Sequence, residues 1–171
     1  MKQSSLRSLT LLCLCLSLTL SLPGCAKEEK ETSISPDFTL KTLEGKEISL
    51  SGLKGKVVLL DFWATWCGPC KDSVPHLLKL YETNQDKGFE IVGISLDKGG
   101  PEAVLRFVKS MGIPYPVLIA PEGFERNYGV TALPTSLLVD KEGRTRERFI
   151  GFNSAIAKEM AAKISDLAAE K

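Results

Sequence analysis

The stretch DFWATWCGPCK, residues 61–71, decides the fold of this chain and carries its chemistry. It begins inside the run 57–64, which is apolar on both faces apart from one aspartate. Such a run is typical of a central strand that is covered on two sides. Apolar residues at helical spacing follow over residues 71–85. Cys67 and Cys70 therefore lie at the turn between a buried strand and a helix.

Cys67 and Cys70 are spaced for a reversible disulfide at a helix N-terminus. Unpaired N–H groups and the helix dipole stabilise a thiolate there, and the thiolate is the attacking species in disulfide exchange. We expect Cys67, nearest the turn and more exposed, to attack, and Cys70, one turn inside the helix, to resolve the mixed disulfide. Two alternatives are a stapling disulfide and half of a zinc site. So short a loop constrains little chain entropy, and the sequence offers no further zinc ligands, so we predict no metal.

The remaining patterns predict an α/β fold, a mixed sheet flanked by helices on both faces. A hairpin is predicted over 38–50 and a second buried strand over 89–96. A helix over 101–111 ends at Gly112. The other predicted elements are an extended segment over 114–119, a helical turn over 122–128, a hairpin of strands 135–139 and 145–150, and a final helix after Asn153 or Ser154.

Residues 61–71 resemble the active-site segment of thioredoxins. The hairpin before that strand and the connection GIPYP, residues 112–116, are similar to those of TlpA/ResA-like thiol-disulfide oxidoreductases, which are membrane-tethered and extracytoplasmic. The resemblance covers residues 36–169. It implies the thioredoxin fold with an N-terminal β-hairpin and a central insertion, and a redox-active disulfide between Cys67 and Cys70.

Asp61 is a second candidate for the chemistry. A carboxylate in a strand buried on both faces loses hydration, so its pKa should rise toward neutrality. The resemblance implies that this aspartate assists deprotonation of the resolving thiol, Cys70. The alternative is an aspartate that faces solvent or pairs with a lysine such as Lys56.

Leu133 and Pro134 precede a predicted strand and match the cis-proline loop of thioredoxin-like proteins. The resemblance implies that this loop faces the thiols and docks the substrate. Proline offers no N–H to the sheet, so the backbone of Leu133 can pair with an extended substrate strand, while Pro134 keeps metal ions and other strands away. The alternative is an ordinary turn proline in a trans bond.

Other residues near the thiols have candidate roles of lesser weight. Trp66, Gly68 and Pro69 are candidates for substrate contacts, whereas Trp63 fits a flanking or a core position equally well. His76 is the only histidine, and we expect it to face solvent. One histidine with two thiols leaves a tetrahedral metal site incomplete.

The chain departs from the TlpA/ResA group at two positions. Many members carry an amide in place of Asp61, and an acid three residues after the second cysteine, where this chain has Ser73. The predicted proton relay is therefore closer to that of thioredoxin.

The N-terminus predicts export. Lys2 and Arg7 precede an uncharged, leucine-rich stretch that ends just before Cys25, which is the pattern of a signal peptide. Residues 22–25, LPGC, resemble a bacterial lipoprotein processing site. We predict a lipoprotein signal peptide over 1–24, lipidation of Cys25, a charged tether over 25–36 and one thioredoxin-like domain over 37–171. The alternative is a cysteine near an ordinary signal-peptidase site.

Composition excludes some partners and leaves others open. A formal net charge of +1 over 171 residues disfavours nucleic acid, and we expect a monomer without a cofactor. We predict an extracytoplasmic reductase of protein disulfides, with apocytochrome c among the clients. The resemblance implies a membrane thiol as electron donor. The rival functions are a peroxide-reducing redoxin and a non-catalytic binding or chaperone module.

Overall fold

The strands and helices predicted from the sequence are present in the computed structural model, which describes residues 33–170. The strands are β1 (Thr39–Lys41), β2 (Glu47–Ser49), β3 (Val57–Trp63), β4 (Phe89–Ser95), β5 (Val117–Ile119), β6 (Thr135–Val139) and β7 (Thr145–Ile150). The α-helices are α1 (Gly68–Asn84), α2 (Pro101–Met111) and α3 (Ser154–Ala169). Short 3₁₀-helices cover Ser51–Leu53, Gln85–Lys87 and Phe124–Tyr128.

The main sheet has five strands in the order β5-β4-β3-β6-β7. The strands β3, β4 and β5 run parallel, whereas β6 is antiparallel to β3 and β7 is antiparallel to β6. The hairpin β1–β2 forms a separate two-stranded sheet. This is the predicted mixed α/β architecture, and the predicted fold class is confirmed.

The central strand β3 is buried along its whole length because both of its faces are covered. Its odd-numbered side chains, such as Leu59, pack with residues of the α-helices, including Leu77 and Ile164. Its even-numbered side chains, such as Phe62, pack on the opposite face with the hairpin and with Tyr128 of a 3₁₀-helix. Full burial of each such side chain stabilises the fold by roughly 1.5–3 kcal/mol.

The sheet topology brings two distant loops to one end of the molecule. Because β6 is antiparallel to β3, the end of β3 lies beside the start of β6, with Phe62 opposite Thr135. The chain leaves β3 toward Cys67 and enters β6 from Pro134. The loop before α1 and the loop before β6 therefore meet at the same edge of the sheet.

Residues 33–36 contact the domain, although the sequence predicts them to be part of the tether. The N–H of Thr145 donates to the carbonyl oxygen of Ser33 at 3.0 Å, and the N–H of Ser35 donates to that of Gly143 at 2.9 Å. The hydroxyl of Tyr128 donates to the Pro36 carbonyl oxygen at 2.7 Å. Because these contacts use mostly backbone atoms, the polar side chains of this segment do not predict them.

The signal peptide and Cys25 lie outside the described residues. Within residues 33–170, no helix is both long enough and apolar enough to cross a membrane.

Candidate active site

Cys67 and Cys70 form a disulfide, with the two Sγ atoms 2.11 Å apart and the Cα atoms 5.3 Å apart. Cys67 is the N-cap of α1, and its Sγ accepts the backbone N–H of Cys70 at 3.2 Å. Helix α1 begins at Gly68, one turn earlier than the apolar spacing predicts, because Pro69 is well suited to the first turn of a helix. Cys67 is 6% exposed and Cys70 2%, so the predicted order of exposure is found, although both sulfurs are largely covered in this disulfide form.

The electrostatic setting of Cys67 favours a thiolate once the disulfide is reduced. The sulfur lies at the positive end of a 17-residue helix whose first turn carries no acidic residue. The Cys70 N–H of that turn already donates to the Cys67 sulfur and would stabilise a negative charge there. The arrangement lowers the free energy of the attacking form of this cysteine relative to a cysteine in solvent.

Asp61 lies in the middle of the sheet and is only 4% exposed. Burial raises the pKa of its carboxyl to about 6, although the hydroxyl of Ser136, which donates to Oδ1 at 2.8 Å, acts in the opposite direction. Lys56 pairs instead with Glu90 at 3.1 Å. The alternative of a solvent-facing or lysine-paired aspartate is therefore wrong.

The peptide bond between Leu133 and Pro134 is cis, as the resemblance implies. The carbonyl oxygen of Pro134 accepts the N–H of Gly151 at 2.8 Å, which ties the loop to the end of β7. Among residues 33–170, neither the N–H nor the carbonyl oxygen of Leu133 has a hydrogen-bond partner. Its backbone is thus free to pair with another chain.

A cleft of about 650 Å³ opens beside this loop. Trp66, which is 70% exposed, and Leu133 line the cleft on the side of the site. Lys98 and Glu122, joined by an exposed ion pair of 3.0 Å, also line it. Gly68 and Pro69 are exposed next to Trp66, so these candidates for substrate contacts lie on the surface.

Trp63 belongs to the core rather than to the surface of the site. It is 4% exposed, and its ring centroid lies 4.9 Å from that of Phe107 on α2. His76 is half-buried on α1, with its ring 5.9 Å from that of Phe152, just before α3. Our expectation of a solvent-facing histidine is therefore wrong. Burial lowers the pKa of the His76 imidazole.

Sequence reasoning missed the group that holds the loop before Cys67. The buried carboxylate of Asp97 accepts the Thr65 N–H at 2.9 Å, the Thr65 hydroxyl at 2.6 Å and the Ser95 hydroxyl at 2.8 Å. Asp97 follows the predicted strand next to β3, so a polar residue at the carboxyl end of that strand was the available signal. Thr65 is thereby fixed two residues before the attacking sulfur.

No group of three or more histidine, cysteine or acidic side chains is arranged to hold a metal ion in the part of the chain that the structure describes. Ser73, three residues after Cys70, is buried and donates its hydroxyl to the Cys70 carbonyl oxygen at 2.8 Å. Asp61 lies on the same face of β3 as Leu59, which packs in one core cluster with both thiols.

The fold and this site define a thiol-disulfide oxidoreductase of the thioredoxin type. The chain belongs to the Redoxin family, whose model matches residues 29–164. It is 43% identical over 118 residues to the thiol-disulfide oxidoreductase ResA of Bacillus thuringiensis strain Al Hakam, with 68% of each chain covered. These findings confirm the predicted TlpA/ResA-like relationship and the reaction class.

Solved structures show the same relationship. A crystal structure described as a putative thiol:disulfide interchange protein DsbE from Chlorobium tepidum matches with a TM-score of 0.76 and 33% identity, covering 81% of this chain and 97% of that one. A secreted thiol-disulfide isomerase from Corynebacterium glutamicum matches with a TM-score of 0.74 and 25% identity, covering 84% and 90%.

Proposed function

We propose that this protein is an extracytoplasmic reductase of protein disulfides, tethered to a membrane through lipidated Cys25. The observation that carries the redox part is the position of Cys67, whose sulfur is the N-cap of α1 at the edge where the free backbone of Leu133 lies. This arrangement offers a client both a nucleophile and a backbone docking edge.

The first step is attack on the client. The Cys67 thiolate attacks one sulfur of the client disulfide, a mixed disulfide forms, and the other client sulfur leaves as a thiolate. An extended client segment pairs with the backbone of Leu133, and Trp66 provides apolar contact area. Gly68 and Pro69, exposed at the start of α1, leave room for the client chain.

The second step is resolution. Asp61 accepts the proton of the Cys70 thiol, and the Cys70 thiolate attacks the Cys67 sulfur, which releases the second client thiol and closes the 67–70 disulfide. The client gains two electrons and the protein loses two. With a pKa of about 6, the Asp61 carboxyl is mainly ionised at neutral pH and can accept that proton.

The reducing direction rests on the Gly68-Pro69 dipeptide, which thioredoxin shares. The reduction potential of thioredoxin, about −270 mV, lies at the reducing end of the scale for this fold, and we expect a similar potential here. Regeneration of the dithiol outside the cytoplasm then needs a membrane thiol donor.

Export and anchoring rest on the N-terminal pattern of Lys2, Arg7 and the uncharged stretch before Cys25. The similar protein from Corynebacterium is itself secreted. Cys25→Ala should move the protein from the membrane fraction to the soluble fraction, and mass spectrometry should find the lipid on Cys25 in the wild type. A wild-type chain that is soluble and unmodified would contradict the anchor.

The redox proposal is tested with a peptide disulfide of the C-x-x-C-H type, the haem-attachment sequence of c-type cytochromes. The reduced protein should convert one peptide disulfide for each 67–70 disulfide formed, as measured by alkylation and mass spectrometry. Cys70→Ser should retain the peptide covalently on Cys67, whereas Cys67→Ser, the matched control, should retain none.

Two results would overturn this proposal. Faster oxidation of Cys67 by hydrogen peroxide than by peptide disulfides would favour a peroxide-reducing redoxin. The hydroxyl of Thr65, which a peroxide pocket would use, is already bonded to Asp97. Full biological activity of Cys67→Ser would favour a binding or chaperone module.

A further inference from the structure

Asp61 lies in a row of residues that crosses the main sheet. Its Cα partner on β4 is Gly93, and its Cα partner on β6 is Ser136. Side chains alternate between the faces of a strand, so Asp61 points to the same face as Leu59, where Cys67 and Cys70 pack with the α-helices. Its two strand neighbours thus decide which groups can reach the carboxylate from the sides.

On the β4 side, no polar side chain reaches Asp61. Gly93 has none, and the space that a Cβ would take there is closed by the Trp63 indole Nε1 at 3.1 Å and by a Val117 methyl group at 3.2 Å. A side chain at position 93 would require Trp63 or Val117 to shift by a few tenths of an ångström. Glycine therefore leaves Asp61 without a partner on this strand.

On the β6 side, the Ser136 hydroxyl donates to Oδ1 of Asp61 at 2.8 Å. Both side chains are buried, at 5% and 4% exposure. Within residues 33–170, this is the hydrogen bond that the carboxylate receives, and no ion pair to Asp61 is present. An ionised carboxylate in such a place depends on the donors it has.

Few titratable groups face Asp61 from the elements packed against it. Burial raises the pKa of the Tyr115 phenol, and the nearby charge of Asp61 raises it further. Helix α1 contributes Cys67 and Cys70 to this layer, and α3 contributes apolar residues. No lysine or arginine in the described part of the chain stabilises the ionised carboxyl. Ser136 is thus its stabilising partner.

We propose that Ser136 is a positioning residue for proton transfer, which holds Oδ1 of Asp61 by its hydroxyl and leaves Oδ2 to take the proton of the Cys70 thiol. This inference rests on the proposed function. The proton moves from the Cys70 sulfur to Asp61, the Cys70 thiolate attacks the Cys67 sulfur, and the client thiolate leaves. Ser136 exchanges no proton and touches no reacting sulfur, but it favours the ionised acceptor.

The test isolates the resolving step with an aromatic disulfide that releases a coloured thiolate, 5,5′-dithiobis(2-nitrobenzoic acid). In stopped flow, the reduced full-length protein should release one equivalent in a phase that depends on reagent concentration, and a second equivalent in a phase that does not. The second phase reports attack of Cys70 on Cys67. Its rate should rise with pH through a midpoint near that of the Asp61 carboxyl, about 6.

Ser136→Ala should move that midpoint upward by about one pH unit, because a hydrogen bond to a charged group favours the ionised form. At pH 6.5 the second phase should slow about three-fold, while the first phase is unchanged. Ser136→Thr keeps the hydroxyl and should show the wild-type pH profile. Valine has nearly the same shape as threonine but no hydroxyl, so Ser136→Val should behave as the alanine variant. This pair keeps the comparison available if the alanine variant does not fold.

The Asp61→Asn background distinguishes a structural role of Ser136 from its proposed role in proton transfer. There the acceptor no longer titrates, so Ser136→Val should leave the midpoint of the second phase where Asp61→Asn has put it. Ser73→Ala, which removes a buried serine hydroxyl bonded to a carbonyl, is the control and should not move the midpoint. A valine variant that keeps the wild-type midpoint, or one that shifts it equally in both backgrounds, would overturn the inference.

Failure of the proposed function gives a different result. If wild-type protein releases one equivalent and never the second, the 67–70 pair does not resolve a mixed disulfide, and both proposals fail. If both equivalents are released but the Ser136 variants follow the wild-type pH profile, only the role of Ser136 fails.

Discussion

The buried carboxyl of Asp61 should destabilise the fold at neutral pH, and Asp61→Asn tests this in the oxidised protein. In that form Cys67 and Cys70 are held in their disulfide and do not titrate. The asparagine side chain has nearly the same shape, and its Oδ1 can still accept the Ser136 hydroxyl. The substitution therefore removes a buried charge with little change in packing.

The size of the effect follows from the two pKa values of Asp61, about 6 in the folded chain against 3.8 for the unperturbed group. The folded state binds the proton more tightly than the unfolded state, so wild-type stability falls as pH rises through this window. The loss begins near the unfolded pKa and is complete above the folded one. It amounts to about 3 kcal/mol at pH 8 relative to low pH.

The assay is urea unfolding of both proteins at several pH values between 4 and 8. The free energy of unfolding of Asp61→Asn minus that of wild type should grow by about 2.4 kcal/mol across this range, because at pH 4 the unfolded carboxyl is already partly ionised. Burying the amide of asparagine changes the free energy of unfolding by the same amount at every pH. The test therefore depends on how the difference between the two proteins changes with pH. Asp72→Asn, which removes an exposed carboxylate on α1, controls for the loss of one negative charge.

A difference that stays within about 0.5 kcal/mol between pH 4 and pH 8, the range typical of surface substitutions, would contradict a raised pKa of the Asp61 carboxyl in the folded protein. Such a result would mean that water hydrates the Asp61 carboxyl, either directly or through local opening of the fold. A pH-dependent difference of the same size in Asp72→Asn would instead attribute the effect to net charge.

Three further substitutions test the surroundings of the site. Asp97→Asn should weaken the anchoring of Thr65, lower the free energy of unfolding by about 1–3 kcal/mol and slow attack by Cys67, as seen in urea unfolding and stopped flow. Trp66→Ala should change stability by less than about 0.5 kcal/mol, because the side chain is 70% exposed, but raise KM for a peptide disulfide and not for a small aromatic disulfide. Tyr128→Phe should cost about 1 kcal/mol in urea unfolding, since it removes the hydrogen bond to the Pro36 carbonyl oxygen.

The parts of the fold that the sequence predicts well are those in which side-chain patterns carry the information. Strand β3 is apolar on both faces and is buried on both faces. The apolar pattern places the start of α1 too late, because Gly68 and Pro69 add no apolar residue to it. The polar composition of residues 33–36 predicts a tether. Their contacts with the domain are largely backbone hydrogen bonds, which the side-chain pattern does not indicate.

The site could be predicted only as far as its motif. The spacing of the cysteines and the burial of Asp61 follow from local sequence, but the pairing of Asp61 with Ser136 spans 75 positions. That pairing depends on the register between β3 and β6, which no local pattern specifies. The anchoring of Thr65 by Asp97, 32 positions apart, depends in the same way on two strands that end side by side.

Burial of Asp61 lowers the free energy of unfolding at neutral pH, but the same burial raises the pKa of its carboxyl into the range where it can accept a proton effectively. An apolar residue at this position would pack in the same layer without the loss of about 3 kcal/mol at neutral pH, so the fold alone gives no reason for a carboxylate. In solvent its pKa would be too low for it to accept a proton effectively near neutral pH. The same covering keeps Cys70, 2% exposed, away from external disulfides. The nearby target of the Cys70 thiolate is therefore the Cys67 sulfur. The same buried layer thus raises the pKa of the proton acceptor, Asp61, and restricts the resolving thiol to the mixed disulfide on Cys67.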